Sequence, residues 1–153
     1  MPSRRGQIEM SAEEVDAFLE EKMVMQCATN GLRGVPHMVA LWFVGDATEL
    51  RGWTYAKSQK ARNLERDPRA TVGLEDGVQY HELRGVTFEC DVRLSRDPAD
   101  VERFGLELFE RYAGELNDDI RAMVAAQAAK RVGLTFHPTR IVSWDHRKLG
   151  GVY

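Results

Sequence analysis

The chain has 153 residues and a mass of 17.4 kDa, the size of one domain and too short for a complete eight-stranded β/α barrel, which needs about 200 residues or more. Apolar residues make up 43% and charged residues 29%, which argues against a disordered or membrane-embedded chain. A net charge of −3 and a pI near 5.8 give no electrostatic basis for a nucleic-acid partner.

Residues 1–10 read as a polar, flexible N-terminal tail ahead of a single domain over 11–153. Arg4 and Arg5 are followed by Gly6-Gln7-Ile8-Glu9 and not by an apolar stretch, so no signal peptide is expected. The longest uncharged run, 34–45, is short of the roughly 20 residues a bilayer requires. A cytoplasmic protein with no membrane contact is expected. Ser11-Ala12-Glu13-Glu14 is a capping box, and Met10 and Val15 hold the two positions of a hydrophobic staple. They start a helix that ends near Lys22.

The period then changes to that of strands. Met23 to Thr29 is a short apolar run ending at the hairpin signal Asn30-Gly31. His37 to Val44 is continuously apolar and predicts a strand buried on both faces, turned by Gly45-Asp46 into a third strand over 50–56. Lys57 to Arg66 suits a helix stopped by Asp67-Pro68. A fourth strand, 69–74, turns at Asp76-Gly77. In the fifth, Val86, Phe88, Cys90, Val92 and Leu94 alternate with polar residues. Asp97-Pro98 opens a helix marked by Val101, Phe104, Leu108 and Tyr112, and Asn117 caps an Ala-rich one. Two last strands are expected over 132–136 and 140–144. Seven strands with short turns and helices at the periphery favour a mainly β, antiparallel fold, packed as a small barrel closed at its edges.

Little of this pattern carries recognisable catalytic chemistry. Cys27 and Cys90 lie in separate apolar runs with no partner at ligand spacing, which predicts buried free thiols in a reducing compartment. The four histidines, His37, His81, His137 and His146, form no i+3 or i+4 pair, so no metal site is expected. No Gly-rich nucleotide loop and no Gly-x-Ser-x-Gly elbow occurs. The informative stretch is Trp53-Thr54-Tyr55-Ala56-Lys57-Ser58-Gln59-Lys60-Ala61-Arg62-Asn63, where a strand runs into a helix. Unpaired first-turn N–H groups, Lys57 and Lys60, and the hydroxyls of Thr54 and Ser58 together suit a phosphate. A solvated, exposed basic helix start is the competing reading. The segment Trp144 to Gly151 is denser in polar and aromatic side chains than a terminal strand needs.

These residues bring a family into view. The run Ser58-x-Lys60-Ala61-x-Asn63-Leu64…Asp67-Pro68-Arg69 resembles the split β-barrel flavoproteins related to pyridoxamine 5′-phosphate oxidase. Ala56 to Ala61, Leu74-Glu75-Asp76-Gly77, Leu83-Arg84-Gly85-Val86 and Ser143 to Gly150 are similar to the actinobacterial branch that uses the deazaflavin F420, over about residues 11–150. The resemblance implies a homodimer with cofactor bound between subunits. It places His37, Met38, Val39, Ala40, Leu41 and Trp42 beside the tricyclic ring. Trp53, Thr54 and Tyr55 fall at the ribityl chain and phosphate, and Lys57, Ser58, Gln59, Lys60 and Asn63 around the phosphate. Arg84 falls near the ring, with Trp144 and Arg147 reaching in from the other subunit.

FMN oxidases of the family carry cations at the positions of His37, Trp42 and Gln59 and a terminal Arg-Leu-x-Pro motif, none of which is present here. The expected function is therefore F420-dependent hydride transfer to a small organic substrate such as an enone or quinone. An FMN-dependent oxidoreductase and a non-catalytic F420 or flavin carrier are the alternatives. No catalytic residue is assigned.

Overall fold

The computed structural model describes residues 3–152. Its seven strands are β1 (Met25–Asn30), β2 (Pro36–Leu41), β3 (Val44–Asp46), β4 (Glu49–Tyr55), β5 (Arg69–Asp76), β6 (Arg84–Ser95) and β7 (Arg131–Asp145). They form one antiparallel sheet in the order β2-β1-β5-β6-β7-β4-β3. Five helices accompany it: α1 (Arg4–Ile8), which was not expected, and α2 (Ala12–Glu21), α3 (Gln59–Arg66), α4 (Pro98–Ala113) and α5 (Asp118–Ala128) at the four expected places. Strands β2 and β3 are free edges, so hydrogen bonding does not close the barrel; it is split. No helix among the described residues is long and apolar enough to cross a membrane.

The core forms where the alternating face of β6 meets the helices. Val86, Phe88, Cys90 and Val92 are buried with Phe18 and Leu19 of α2, Ala61 and Leu64 of α3, and Leu134 and Phe136 of β7. The capping box of α2 is complete, with Ser11 N–H donating to Glu14 Oε2 at 2.8 Å and Glu14 N–H to Ser11 Oγ at 3.2 Å. Both staple residues, Met10 and Val15, are buried. Cys27 and Cys90 are buried free thiols, pushed up by burial to about 11 and about 12 respectively.

Four expectations change. The segment read as a flexible tail folds Arg4–Ile8 into a helix, and Met10 N–H donates to Ser143 Oγ on β7 at 3.0 Å; Met1 and Pro2 lie outside the described residues. Asn30-Gly31 does not make a two-residue turn, because Asn30 pairs with Pro36 and Gly31 N–H closes a longer loop on Val35 O at 3.2 Å. A Cβ on Gly31 would meet that same oxygen at 2.4 Å, so the close approach requires glycine. The two C-terminal strands are one, β7, which passes Pro138 through a register shift opposite Glu89 and Cys90 instead of stopping.

The fourth change concerns the apolar run 37–44. It is not one strand buried on both faces: β2 ends at Leu41, and along it half-buried residues alternate with exposed ones, Met38 being 66% exposed. The interruption has an identifiable cause in α4. Tyr112 Oη accepts Phe43 N–H at 3.1 Å, while Tyr112 Oη and Arg111 Nη1 both donate to Phe43 O. Those bonds occupy the backbone groups a longer ladder would use. Trp42 leaves the strand and stacks on Tyr112 with ring centroids 4.3 Å apart.

Candidate cofactor-binding site

Strand β4 delivers the site. Along it Leu50, Gly52 and Thr54 face the core, while Trp53 and Tyr55 face the other way. The chain then turns, with Ser58 N–H donating to Tyr55 O at 3.0 Å, and enters α3. Ser58 caps that helix: its hydroxyl takes the Ala61 N–H at 3.1 Å and its carbonyl the Arg62 N–H. The N–H groups of Gln59 and Lys60 in the first turn have no intrahelical acceptor, as at any helix start.

Lys60 corrects the reading of an exposed basic helix start. It shares a helix face with Ala61 and Leu64 and is only 6% exposed. Its ammonium donates to the buried Thr54 hydroxyl at 2.9 Å, and Thr54 Oγ1 lies 3.4 Å from Ser58 Oγ. Among the described residues no carboxylate pairs with it. Burial holds Lys60 below its ordinary value of 10.5; the Cys27 thiol opposes that shift and Arg131 adds to it. A buried cation with one neutral partner is costly to the fold. It is also poised for an anion.

The neighbouring residues divide between binding and structure. Asn63 is fully buried, donates to Thr29 Oγ1 at 3.0 Å and accepts from Gln59 Nε2 at 2.8 Å, so it holds α3 against β1 and is not free for a ligand. Lys57 is exposed, as is Tyr55. His37 at the start of β2 meets Gln59 and Asn63 across a cavity of about 390 Å³, and its Nδ1 is buried without a hydrogen-bond partner. A second cavity, of about 350 Å³, joins Ala40, Leu41 and Trp42 to Trp53 and the helices α4 and α5. The structure thus brings His37 together with Gln59 and Asn63 in one cavity, and Ala40, Leu41 and Trp42 together with Trp53 in another.

Arg84, Trp144 and Arg147 lie elsewhere. Strand β7 starts beside Tyr55 and ends beside Arg84, so Trp144 is about a dozen residues along it from Thr54, up to roughly 40 Å of extended strand. Arg84 is held by Glu21 and Asp76, each at 2.8 Å, and its guanidinium sits 5.0 Å from the Phe18 ring centroid. Arg147 grips Asp145 through two bonds of 2.9 and 2.7 Å. Within one chain these residues do not reach Lys60.

Two features escape sequence reasoning. Arg131 pairs with Tyr55 across the β4–β7 ladder, with its guanidinium 4.1 Å from the Tyr55 and 4.7 Å from the Trp53 ring centroid. Only the long-range register reveals it. Gly85 and Gly105 seat the site's tryptophans: a Cβ would meet the Trp144 ring at 2.4 Å and the Trp53 ring at 2.3 Å respectively. Gly85 is also 2.7 Å by the same measure from Leu74 O, a backbone atom that cannot swing aside. Gly85→Ala should cost about 1–3 kcal/mol through overpacking. Urea denaturation of the two proteins checks this; equal midpoints would show that Trp144 and β5 yield freely.

The pyridoxamine 5′-phosphate oxidase family model matches residues 11–145, and the chain belongs to that family. Among solved structures, the conserved hypothetical protein Rv2991 from Mycobacterium tuberculosis is 42% identical with a TM-score of 0.89, covering 97% of this chain and 93% of that one. A chain described as an F420 reductase is 28% identical with a TM-score of 0.66, covering 82% and 94%. The heme storage protein HutZ from Vibrio cholerae shares the fold at 20% identity and a TM-score of 0.68, covering 88% and 96%. No curated protein matches the chain.

Proposed function

We propose that the chain is an oxidoreductase that works with the deazaflavin F420 as a homodimer. The observation that carries this reading is the buried Lys60 ammonium, which has the Thr54 hydroxyl and no carboxylate beside it at the foot of α3. That arrangement fits the phosphate of such a cofactor, and the similarity to an F420 reductase favours the deazaflavin over FMN. FMN, bound at the same place, is the alternative cofactor, and a carrier without turnover is the alternative function.

When bound, the reduced deazaflavin supplies a hydride to an electron-poor carbon of a small organic substrate. The chain's own residues bind and orient. Lys60, Thr54, Ser58 and the free N–H groups of Gln59 and Lys60 take the phosphate, with the charge of Lys57 nearby. His37 to Leu41 of β2, with Trp42 just beyond the strand's end, would lie along the ring, and Trp53 and Tyr55 would flank the linking chain. Trp144 and Arg147 of the partner subunit complete the groove and exclude water.

The dimer has its own support. Leu32, Val35, Met38 and Trp42 leave an apolar edge at β2, with exposures of 77, 60, 66 and 45%. A monomer seldom leaves so much clustered apolar surface uncovered. Light scattering should give twice the 17.4 kDa chain mass, and a monomer at micromolar concentration would remove the basis for a shared groove.

The cofactor test is incubation with F420 and FMN separately, then desalting and a visible spectrum. Retained deazaflavin supports the proposal. Retained flavin alone moves the assignment to FMN. Turnover of a panel of enones and quinones by reduced F420 separates an enzyme from a carrier.

A further inference from the structure

Past Asp145, at the end of β7, the chain makes a short 3-10 turn, His146–Leu149, and two remote segments grip it from opposite sides. On one side is the junction of α1 and α2. Lys148 Nζ donates to Glu9 O at 2.7 Å and to Glu14 Oε2 at 2.6 Å, next to the bond from Met10 N–H to Ser143 Oγ. On the other side is the turn Tyr80–Glu82. His146 N–H donates to Leu83 O at 2.9 Å, and His146 Nδ1 lies 2.9 Å from Tyr80 O, an arrangement that needs the proton on Nδ1. The rings of Tyr80 and His146 also meet edge-on, with centroids 4.8 Å apart.

No residue of this turn is buried, so these contacts add nothing to the apolar core. What they fix is the pair of side chains on either side of Asp145. Trp144 is seated on Gly85, and Arg147 projects from the turn, 54% exposed. Asp145, buried between them, caps the turn by accepting the Arg147 N–H at 3.0 Å and holds the Arg147 guanidinium as well. Glu14 Oε2 takes the Ser11 N–H of the capping box and the Lys148 ammonium together, so the start of α2 and the end of β7 share one carboxylate oxygen. Lys148, and then the Ser11 N–H, hold the Glu14 carboxyl below its ordinary value of 4.5, which keeps it charged at neutral pH.

We propose that Lys148 is a positioning residue: by tying the turn His146–Leu149 to Glu9 and Glu14, against the counter-grip of His146 on Tyr80, it holds Trp144 and Arg147 in place for the cofactor bound to the partner subunit. The inference rests on the cross-subunit groove proposed above. Its physical basis is preorganisation. A ligand-binding side chain near a chain end has few covalent restraints, and each contact that fixes it beforehand removes ordering cost from binding.

Two measurements on the full chain test it. In the cofactor-free protein, Lys148→Met should speed amide hydrogen exchange over residues 143–149 by about tenfold, with the melting temperature within about 3 °C of wild type, because an ion pair open to solvent contributes little to global stability. Fluorescence titration with F420, and in parallel with FMN, then reads the consequence. Lys148→Met should weaken binding about threefold to tenfold, and Lys148→Arg should restore it to within about twofold. In an Arg147→Met background the same Lys148→Met change should cost much less, since one of the two groups it positions is gone. Unchanged exchange over 143–149 would show that there is no clamp, whatever the cofactor. Faster exchange with unchanged affinity, or the full loss persisting in the Arg147→Met background, would show that the clamp serves the fold alone. Either result overturns the proposal while a wild type that retains F420 keeps the cofactor reading. A wild type that takes up neither F420 nor FMN sinks the cofactor reading and this role with it, and the exchange data tell that failure apart from a missing clamp.

Discussion

Lys60→Met should lower affinity for a phosphate-bearing deazaflavin about tenfold to a hundredfold while leaving the fold as stable or more stable. The first half follows from the loss of a charge-assisted contact, which contributes roughly 1.5–3 kcal/mol to binding. The second half follows from burial. Lys60 is 6% exposed and its ammonium has only the Thr54 hydroxyl, so the free protein keeps a desolvated charge that methionine, of similar length, would not carry. An exposed helix-start lysine would give neither a stability gain nor this coupling.

The pH dependence has a definite sign. Burial lowers the Lys60 value in the folded state below the 10.5 it has when unfolded, so between the two the unfolded chain binds more protons. The penalty is complete below the folded value and fades as pH rises towards 10.5. Wild type should therefore gain stability relative to Lys60→Met on going from neutral to alkaline pH. Thermal melts of both proteins across that range check it; parallel curves would show that Lys60 is solvated.

Arg111→Met should cost about 2–4 kcal/mol of stability, a fall in Tm of roughly 5–15 °C. Arg111 Nη2 donates to the carbonyls of Leu19, Glu20 and Lys22 at 2.7, 3.3 and 2.8 Å, closing the C-terminal end of α2. Nη1 donates to Phe43 O, where the β2 run breaks, and the guanidinium lies 4.5 Å from the Phe43 ring centroid. One side chain thus joins α4, α2 and the β2–β3 corner. Its loss strands several carbonyls and removes a cation from a helix C-terminus. Arg111→Lys should rescue little, because an ammonium cannot fork to two sets of acceptors. A lysine variant as stable as wild type would mean that charge alone matters there.

How much of this was legible in the sequence depends on distance along the chain. Helix starts were readable because Ser11 with Glu14, Asp97 with Pro98, and Asn117 act within one turn. The alternation of Val86, Phe88, Cys90 and Val92 was readable for the same reason, and the pattern of motifs around Ser58 pointed to the family. Apolarity in the run 37–44 was equally plain. Its meaning was not, because which atoms interrupt and cover a strand is decided by residues as remote as Arg111 and Tyr112. Lys60 carried a weak local signal, since it falls four residues before the buried Leu64 on one helix face. Arg131, Gly85 and Gly105 had none: their roles come from strand register and from a tryptophan delivered by another element.

The central claim is that Lys60 recognises the cofactor's phosphate, and a thermodynamic cycle tests it most directly. Fluorescence titration would give dissociation constants of wild type and Lys60→Met for F420 and for the same deazaflavin chromophore lacking the phosphate. Wild type should favour the phosphate-bearing form by tenfold or more, and Lys60→Met should lose most of that preference while binding the phosphate-free chromophore as wild type does. The same preference in both proteins would contradict the account, because the phosphate would then be recognised by other groups.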